Sequence, residues 1–382
     1  MKILGREIKI NKIIPLLHRN PYASVIGVIN NIRQRTFFER HLGGHSLFPS
    51  AIAIEITYLC NLRCKTCWFY GNSGIFKKHS SSESLDFESL KKLIDNVAKY
   101  SPYIYLTGGE PLINKATTPT IQYAKKKGLV VGLVTNGTLL NKENAEKLIQ
   151  ANLDFITISL DGNEKTHDYL RGQTCFKNTT QGIKNIIEMR KKSKFPVITL
   201  NCTISDYNYK NLNDVFEIAE ELQVDILALQ HPCFLQKQTI KNHHNMFSKI
   251  FGKSNNLIDG YENDLASKID PDLLYKILSE IKNKNKSFDL RLYQDFSQGD
   301  MSTYYKKEKA INHRCISPWF SAVVKPNGDV TPCLGEVMGN IKSDSFMSIW
   351  NNKKFKNFRK VLNNARFFPA CIMCCGFFLN WR

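Results

Sequence analysis

Between residue 51 and about residue 232 the chain alternates two kinds of run. Short stretches rich in Ile, Val, Leu and aromatics fall at 51–57, 103–106, 130–134, 155–159, 197–202 and 225–230. They read as parallel strands, which are covered on both faces and so stay apolar along their length. Amphipathic stretches lie between them, at 87–99, 118–127, 142–150, 178–192 and 208–222, and read as helices. Asn141 is placed to cap one helix at its start, and Gly128 to end another. Six strands alternating with helices predict an α/β fold with right-handed crossovers. The periodicity admits an open doubly wound sheet or an incomplete barrel and does not choose between them.

The flanks carry a different pattern. Residues 1–50 interleave apolar stretches with eight basic residues and two acids (Glu7 and Glu39), and read as a basic cap on the main domain. A basic amphipathic surface that touches a membrane or a partner is the alternative there. Residues 233–312 are rich in Lys, Asn and His and read as a helical connector or lid, with a good helix at 272–284. Residues 313–382 read as a small α+β module, with strands at 320–324 and 329–331 around the turn Lys325-Pro326-Asn327-Gly328, then a helix at 346–362.

A length of 382 residues suits two or three domains, and 42% hydrophobic with 23% charged residues excludes a disordered chain. No apolar run reaches the roughly 18 residues of a membrane span. The first ten residues lack the apolar core of an export signal, so the chain reads as cytoplasmic. The net charge of +19 favours anionic partners. Only thirteen of the 53 basic residues are arginine, the residue that base and phosphate readers lean on, so nucleic acid is the less favoured partner.

Eleven cysteines change the picture. Clusters of cysteine in a chain without an export signal point to metal rather than disulfides. Cys60, Cys64 and Cys67 follow the first strand, on the edge where parallel βα folds open their ligand sites. Three close thiolates can bind three irons of a cubane cluster and leave the fourth iron open; a zinc site would need a fourth ligand. Thr107-Gly108-Gly109-Glu110-Pro111 follows the second strand. Its two glycines permit close backbone approach to a ligand, and the Glu110 carboxylate suits an ammonium group. A further set, Cys315, Cys333, Cys371 and Cys374, with Cys375 adjacent, supplies four thiolates, enough to saturate a second cubane or to hold one zinc. Cys175, Cys202 and Cys233 read as buried thiols and His243-His244 as a solvated loop pair.

The C-x3-C-x2-C loop after the first strand and GGEP after the second resemble the radical S-adenosylmethionine (SAM) superfamily, over about residues 51–232. The resemblance implies a partial (βα)6 barrel. It implies a [4Fe–4S] cluster on Cys60, Cys64 and Cys67, with SAM chelating the open iron and Gly108, Gly109 and Glu110 beside it. Ser159 stands where the family's serine meets the ribose, and Arg171, twelve residues on, where an arginine meets the SAM carboxylate. Thr66 replaces the usual aromatic before the third cysteine, with Trp68 close by as the adenine contact. Asn136 ends the third strand as in such barrels. Residues 313–382 resemble the SPASM/twitch extension, with a second, auxiliary [4Fe–4S] cluster on Cys315, Cys333, Cys371 and Cys374. Sulfatase-maturing relatives carry an Asp after the cysteine matching Cys333; Leu334 stands there, and Glu336 is the nearby candidate base.

The resemblance implies reductive cleavage of SAM to a 5′-deoxyadenosyl radical, hydrogen abstraction from a substrate C–H bond, and a net oxidation with the auxiliary cluster as electron acceptor or relay. The expected donor is an acidic flavodoxin or ferredoxin. The expected substrate is a small molecule or lipid precursor, with peptide maturation as the alternative. A zinc-stabilised nucleic-acid-binding protein is the alternative of another class.

Overall fold

The computed structural model describes residues 2–3, 6–7, 32–33, 36, 44–76, 81–191, 193–252, 254, 256–262, 266–307, 315–333 and 336–374. Most of the basic cap expected at 1–50 therefore lies outside the described residues. Its last part, 44–50, packs on the C-terminal module, where Ser46 donates to Trp319 O at 2.6 Å and Asn351 donates to Ser46 O at 2.6 Å.

Strands and helices alternate as β1 (Ala51–Thr57), α1 (Phe87–Val97), β2 (Tyr103–Gly108), α2 (Thr117–Lys126), β3 (Val131–Thr135), α3 (Lys142–Gln150) and β4 (Phe155–Ser159). Two helices, α4 (Glu164–Arg171) and α5 (Cys175–Arg190), lead to β5 (Val197–Thr203), then α6 (Leu212–Glu221) and β6 (Ile226–Gln230). The chain continues through α7 (Lys237–Phe251), α8 (Pro271–Asn283), β7 (Asp289–Tyr293) and α9 (Gln298–Lys307). The C-terminal part adds β8 (Ser321–Val324), β9 (Asp329–Thr331), β10 (Gly339–Asn340), α10 (Phe346–Trp350) and α11 (Lys353–Ala365). Caps set several helix starts: Asp86, Asn141, Asn163, Asp270 and Asn352 each accept from a backbone N–H of the first turn.

One sheet of ten strands runs in the order β10-β9-β8-β1-β2-β3-β4-β5-β6-β7. Pairing is parallel from β8 through β7 and antiparallel across β8-β9-β10. A doubly wound sheet reverses its strand order at a switch point. Here β1 to β7 run in sequence without reversal, which is the winding of a barrel wall.

The structure differs from the sequence reading in three elements. The connector holds β7, which pairs in parallel with β6. Its charges at Asp289 and Arg291 alternate with Leu290 and Leu292, which conceals an edge strand from an apolar-run reading. The first strand of the C-terminal module, β8, joins the main sheet beside β1, with Ser321 opposite Ala51 and Val324 opposite Ile54. The helix expected at 346–362 is broken at Asn351 and Asn352, because Asn352 caps a new helix through Phe355 N.

The two faces of the sheet are chemically distinct. On the helix side Ile52, Ile54, Ile104, Leu106, Ile156, Ile158, Ile198 and Leu200 have no exposed surface. Burying each such side chain stabilises the fold by about 1.5–3 kcal/mol. The opposite, concave face carries Tyr105, Thr107, Thr157, Ser159 and Asn201, all half-buried although they sit mid-sheet. Partial exposure in the middle of a sheet means that the concave side is open.

Candidate active site

The chain leaves β1 and turns directly into the cysteine loop. Tyr58, Phe69 and Tyr70 form a small apolar cluster of their own, with Tyr58 and Phe69 ring centroids 5.1 Å apart. Tyr70 Oη donates to Tyr58 O at 2.6 Å and so closes the loop on its own stem. Lys65 N donates to Leu170 O at 2.8 Å, and Lys65 Nζ lies 3.2 Å from the Tyr169 ring centroid, so the end of α4 holds the loop from outside.

Cys60, Cys64 and Cys67 are each half-buried. Burial pushes the Cys60 thiol up to about 11 and the Cys64 thiol up to about 12, each opposed by a nearby cation, Arg63 and Arg171 respectively. Backbone N–H groups of Leu62 and Phe69 point at Cys60 Sγ and Cys67 Sγ, both at 3.4 Å.

The GGEP strap presses on this loop. Gly108 has φ +131°, and a Cβ there would stand 2.4 Å from Thr57 O; a Cβ on Gly109 would stand 2.3 Å from Leu59 O. Only glycine allows that approach. The close contact expected toward a ligand is thus made to the chain's own cysteine loop, sealed by Gly109 N to Thr57 O and Glu110 N to Leu59 O, both 2.8 Å.

Glu110 follows closely after β2. Its carboxylate has no exposed surface and accepts from Leu112 N at 3.0 Å, Thr135 Oγ1 at 2.8 Å and Asn136 N at 2.8 Å. Burial raises its pKa to about 7 against those three hydrogen bonds. Its bonds to Thr135 and Asn136 tie the turn after β2 to the end of β3. Asn136 works alongside it: Nδ2 donates to Asn61 Oδ1 at 3.0 Å, and Oδ1 accepts from Thr138 Oγ1 at 2.6 Å.

Across the sheet edge, Arg171 Nε donates to Asp161 Oδ2 at 2.7 Å, with both side chains largely buried. Burial disfavours the guanidinium charge, but Asp161 and the thiols of Cys64 and Cys67 outweigh it and hold its pKa above the usual value. Asp161 Oδ1 is fixed by Thr203 N at 3.0 Å. Ser159 ends β4 on the concave face, half-buried, in register with Asn201.

Trp68 is 40% exposed and stacks on Tyr261 at 5.5 Å and 16°, so one face of its ring is taken by the connector. A cavity of about 450 Å³ opens beside Cys67, lined by Lys65, Thr66, Tyr207, Gln236, Lys237 and Glu262 among others.

The second cysteine set assembles from three places. Cys315 precedes β8, Cys333 follows β9, and Cys371 and Cys374 lie on or beside the final 3-10 turn, Pro369–Met373. Burial pushes Cys371 well up, reinforced by the charges of Cys315, Cys374 and Cys333. Cys315 N donates to Arg366 O at 2.9 Å. Cys375 and Leu334 lie outside the described residues, and Glu336 is half-buried. Cys175 and Cys202 are buried, as expected, and Cys233 is half-buried.

The solvated loop pair expected at 243–244 is not one. His243 sits on α7, 5% exposed, stacked on Phe247 at 4.1 Å, and lies 3.4 Å from the Ala370 N–H beside Cys371. A Lys, Asn and His-rich stretch hides an amphipathic helix whose apolar stripe includes that histidine. Sequence reasoning also passed over Asn61, whose signal is its place directly after Cys60. Tyr261 lies far from the motifs in sequence and gave no signal.

The description Radical SAM superfamily matches residues 54–219, and the SPASM description, an iron–sulfur cluster-binding domain, matches residues 315–375. The chain is 30% identical over 342 residues to the AdoMet-dependent heme synthase of Methanosarcina barkeri, across 85% of this chain and 88% of that one. The chain belongs to the radical SAM superfamily. It is also 25% identical to the subtilosin biosynthesis protein AlbA of Bacillus subtilis, over 92% of this chain and 72% of AlbA. In fold, this radical SAM chain resembles Streptococcus suis SuiB, whose structure was solved with its precursor peptide SuiA: TM-score 0.61, 14% identity, 94% of this chain and 76% of that one. A structure of anSMEcpe with bound AdoMet superposes with TM-score 0.54, 17% identity, and 87% and 84% coverage.

The radical SAM domain implies a [4Fe–4S] cluster and SAM, and the SPASM domain implies an auxiliary iron–sulfur site. The donor sets fit. Half-buried thiols with raised pKa values need a cationic centre to become thiolates, and N–H groups aimed at sulfur stabilise them as ligands. Among the described residues no three His, Cys, Asp or Glu side chains converge as for one metal ion. Cubane ligation instead asks for sulfurs on separate irons. No described helix is long and apolar enough to cross a membrane.

Proposed function

We propose that this radical SAM protein catalyses the net oxidation of a small molecule. The observation that carries this reading is the β1–β8 pairing. It sets the strand leading to Cys60 beside the strand that follows Cys315, so both cysteine sets stem from neighbouring strands of one sheet. The relative named as a heme synthase, aligned along most of both chains, supports a small-molecule substrate. When bound, the first cluster and SAM supply a one-electron cleavage of the sulfonium and a carbon radical able to take hydrogen from substrate.

The chain's own residues bind and orient. Cys60, Cys64 and Cys67 hold the first cluster and leave one iron for SAM. Arg171, locked by Asp161, meets the SAM carboxylate, and Ser159 the ribose hydroxyls. Gly108 and Gly109 set the strap height over the cysteine loop, while Glu110 and Asn136 keep the strand ends in register. Cys315, Cys333, Cys371 and Cys374 hold the auxiliary cluster, whose full ligation leaves it electron transfer rather than substrate binding. The donor is an acidic flavodoxin or ferredoxin, which the net charge of +19 suits.

Peptide modification is the second reading, supported by the AlbA relative. The test is 5′-deoxyadenosine release by the anaerobically loaded enzyme with dithionite. Release by wild type and none by Cys60→Ala supports the reading. No release from a protein that holds iron contradicts it.

A further inference from the structure

We infer that His243 is a positioning residue for the auxiliary cluster: its Nδ1 accepts the Ala370 N–H and so holds the turn that carries Cys371 and leads to Cys374. This inference rests on the assignment of those two cysteines as auxiliary ligands in the reading above.

The contact is built from the connector. On α7 the buried side chains are Ile240, His243 and Phe247, a stripe at helical spacing. The His243 ring stacks on Phe247 at 4.1 Å and 25°, and meets Phe368 edge-on at 6.3 Å. Phe368 in turn lies 4.8 Å from Phe247 and 5.4 Å from Phe358, and Phe251 stacks on Phe358 at 5.8 Å. This aromatic cluster seats the connector helix against the segment that enters the cysteine turn.

A phenylalanine at 243 could fill the same place in that cluster. What histidine adds is an acceptor, and the turn has need of one. It opens on Pro369, which has no N–H, so Ala370 carries its first N–H, and Phe368 before it offers no side-chain cap. The turn's own bonds begin one residue later, with Cys371 N donating to Phe368 O at 2.9 Å and Cys374 N to Cys371 O at 3.2 Å. Ala370 is 8% exposed, and a buried N–H without a partner costs more than an ordinary hydrogen bond contributes. His243 Nδ1, at 3.4 Å, meets that need from 127 residues away. As an acceptor Nδ1 carries no proton, so the neutral ring carries its proton on Nε2.

Ala370 is bonded directly to Cys371, so the hold on this N–H is a hold on a cluster ligand. Groups of this kind, one step behind the ligands, set a cluster's potential and how firmly it is kept. The same helix begins at Lys237, which lines the cavity beside Cys67 together with Gln236. His243 lies six residues on, about 9 Å along the axis. One rigid element therefore borders both the first cysteine loop and the auxiliary turn.

The test isolates the auxiliary site in the triple variant Cys60→Ala, Cys64→Ala, Cys67→Ala after anaerobic reconstitution. In this parent, His243→Phe keeps an aromatic ring against Phe247 and removes the acceptor. His243→Asn removes the ring and keeps an oxygen close to the Nδ1 position. The readouts are the EPR spectrum and midpoint potential of the reduced cluster, and the rate of iron loss to a chelator. H243F is expected to shift the spectrum and the potential and to lose iron about tenfold faster than the parent. H243N is expected to stay nearer the parent in all three. A parent-like H243F overturns the inference, because the ring then only packs. An H243N protein that departs from the parent as far as H243F also overturns it; where thermal unfolding shows that H243N has lost its fold, the comparison of H243F with the parent decides alone. A parent whose C-terminal cysteines hold no iron overturns the inference together with the auxiliary-ligand assignment. Release of 5′-deoxyadenosine by the wild-type chain, measured in parallel, reports separately on the enzymatic reading.

Discussion

At Glu110 burial and hydrogen bonding pull in opposite directions, and burial wins. Its carboxyl is raised from 4.5 to about 7 in the folded chain. The stability it contributes is present below pH 4.5 and is lost as pH rises through about 7, an amount on the order of 3 kcal/mol. Glu110→Gln is expected to remove that component, seen as a flatter denaturant-midpoint profile between pH 4.5 and 7. Asp161 makes the converse case. Asp161→Asn leaves the Arg171 guanidinium buried without its counter-charge, and is expected to cost about 3–5 kcal/mol in urea unfolding. The cysteine and glycine positions were legible in the sequence because their spacing is fixed by the chemistry of a cluster and by close backbone packing. The burial of Glu110 was not legible, because two of its three donors, Thr135 and Asn136, come from the end of β3. Nor was the Trp68–Tyr261 stack, which depends on how the connector folds back.

The elements tell a similar story. Strands β1 to β6 were legible because parallel strands are apolar on both faces. Strand β7 was not, since an edge strand tolerates Asp289 and Arg291 in alternation. The docking of β8 on β1 was hidden for another reason: parallel pairing across some 260 residues leaves no local mark. The ion pair between Lys325 and Glu55 staples this seam at 2.7 Å. Lys325→Met is expected to destabilise by about 3–5 kcal/mol, because it strands a buried carboxylate. The double variant with Glu55→Gln should recover most of that loss. Chemical denaturation of the two single variants and the double variant measures the coupling, and a fully additive double variant would contradict the staple.

Across the whole molecule, buried histidines set the acid limit. Burial lowers His167 to about 4, aided by Arg171, and lowers His231 to about 3. Both folded values lie below the ordinary 6.5, so their contribution is present above that pH and is lost as pH falls toward 4 and 3. At pH 5 the loss is roughly 2 kcal/mol for each, opposite in sign to the Glu110 effect. Thermal unfolding of His231→Gln should show a smaller drop between pH 7 and pH 5 than wild type. The central claim, two iron–sulfur sites stemming from neighbouring strands of one sheet, is tested most directly by iron and sulfide analysis with EPR after anaerobic reconstitution. Wild type is compared with a triple variant carrying Cys60→Ala, Cys64→Ala and Cys67→Ala. About eight irons per chain falling to about four, with one cluster signal retained, is the predicted result. About four falling to none, with zinc held by the C-terminal cysteines, would contradict it.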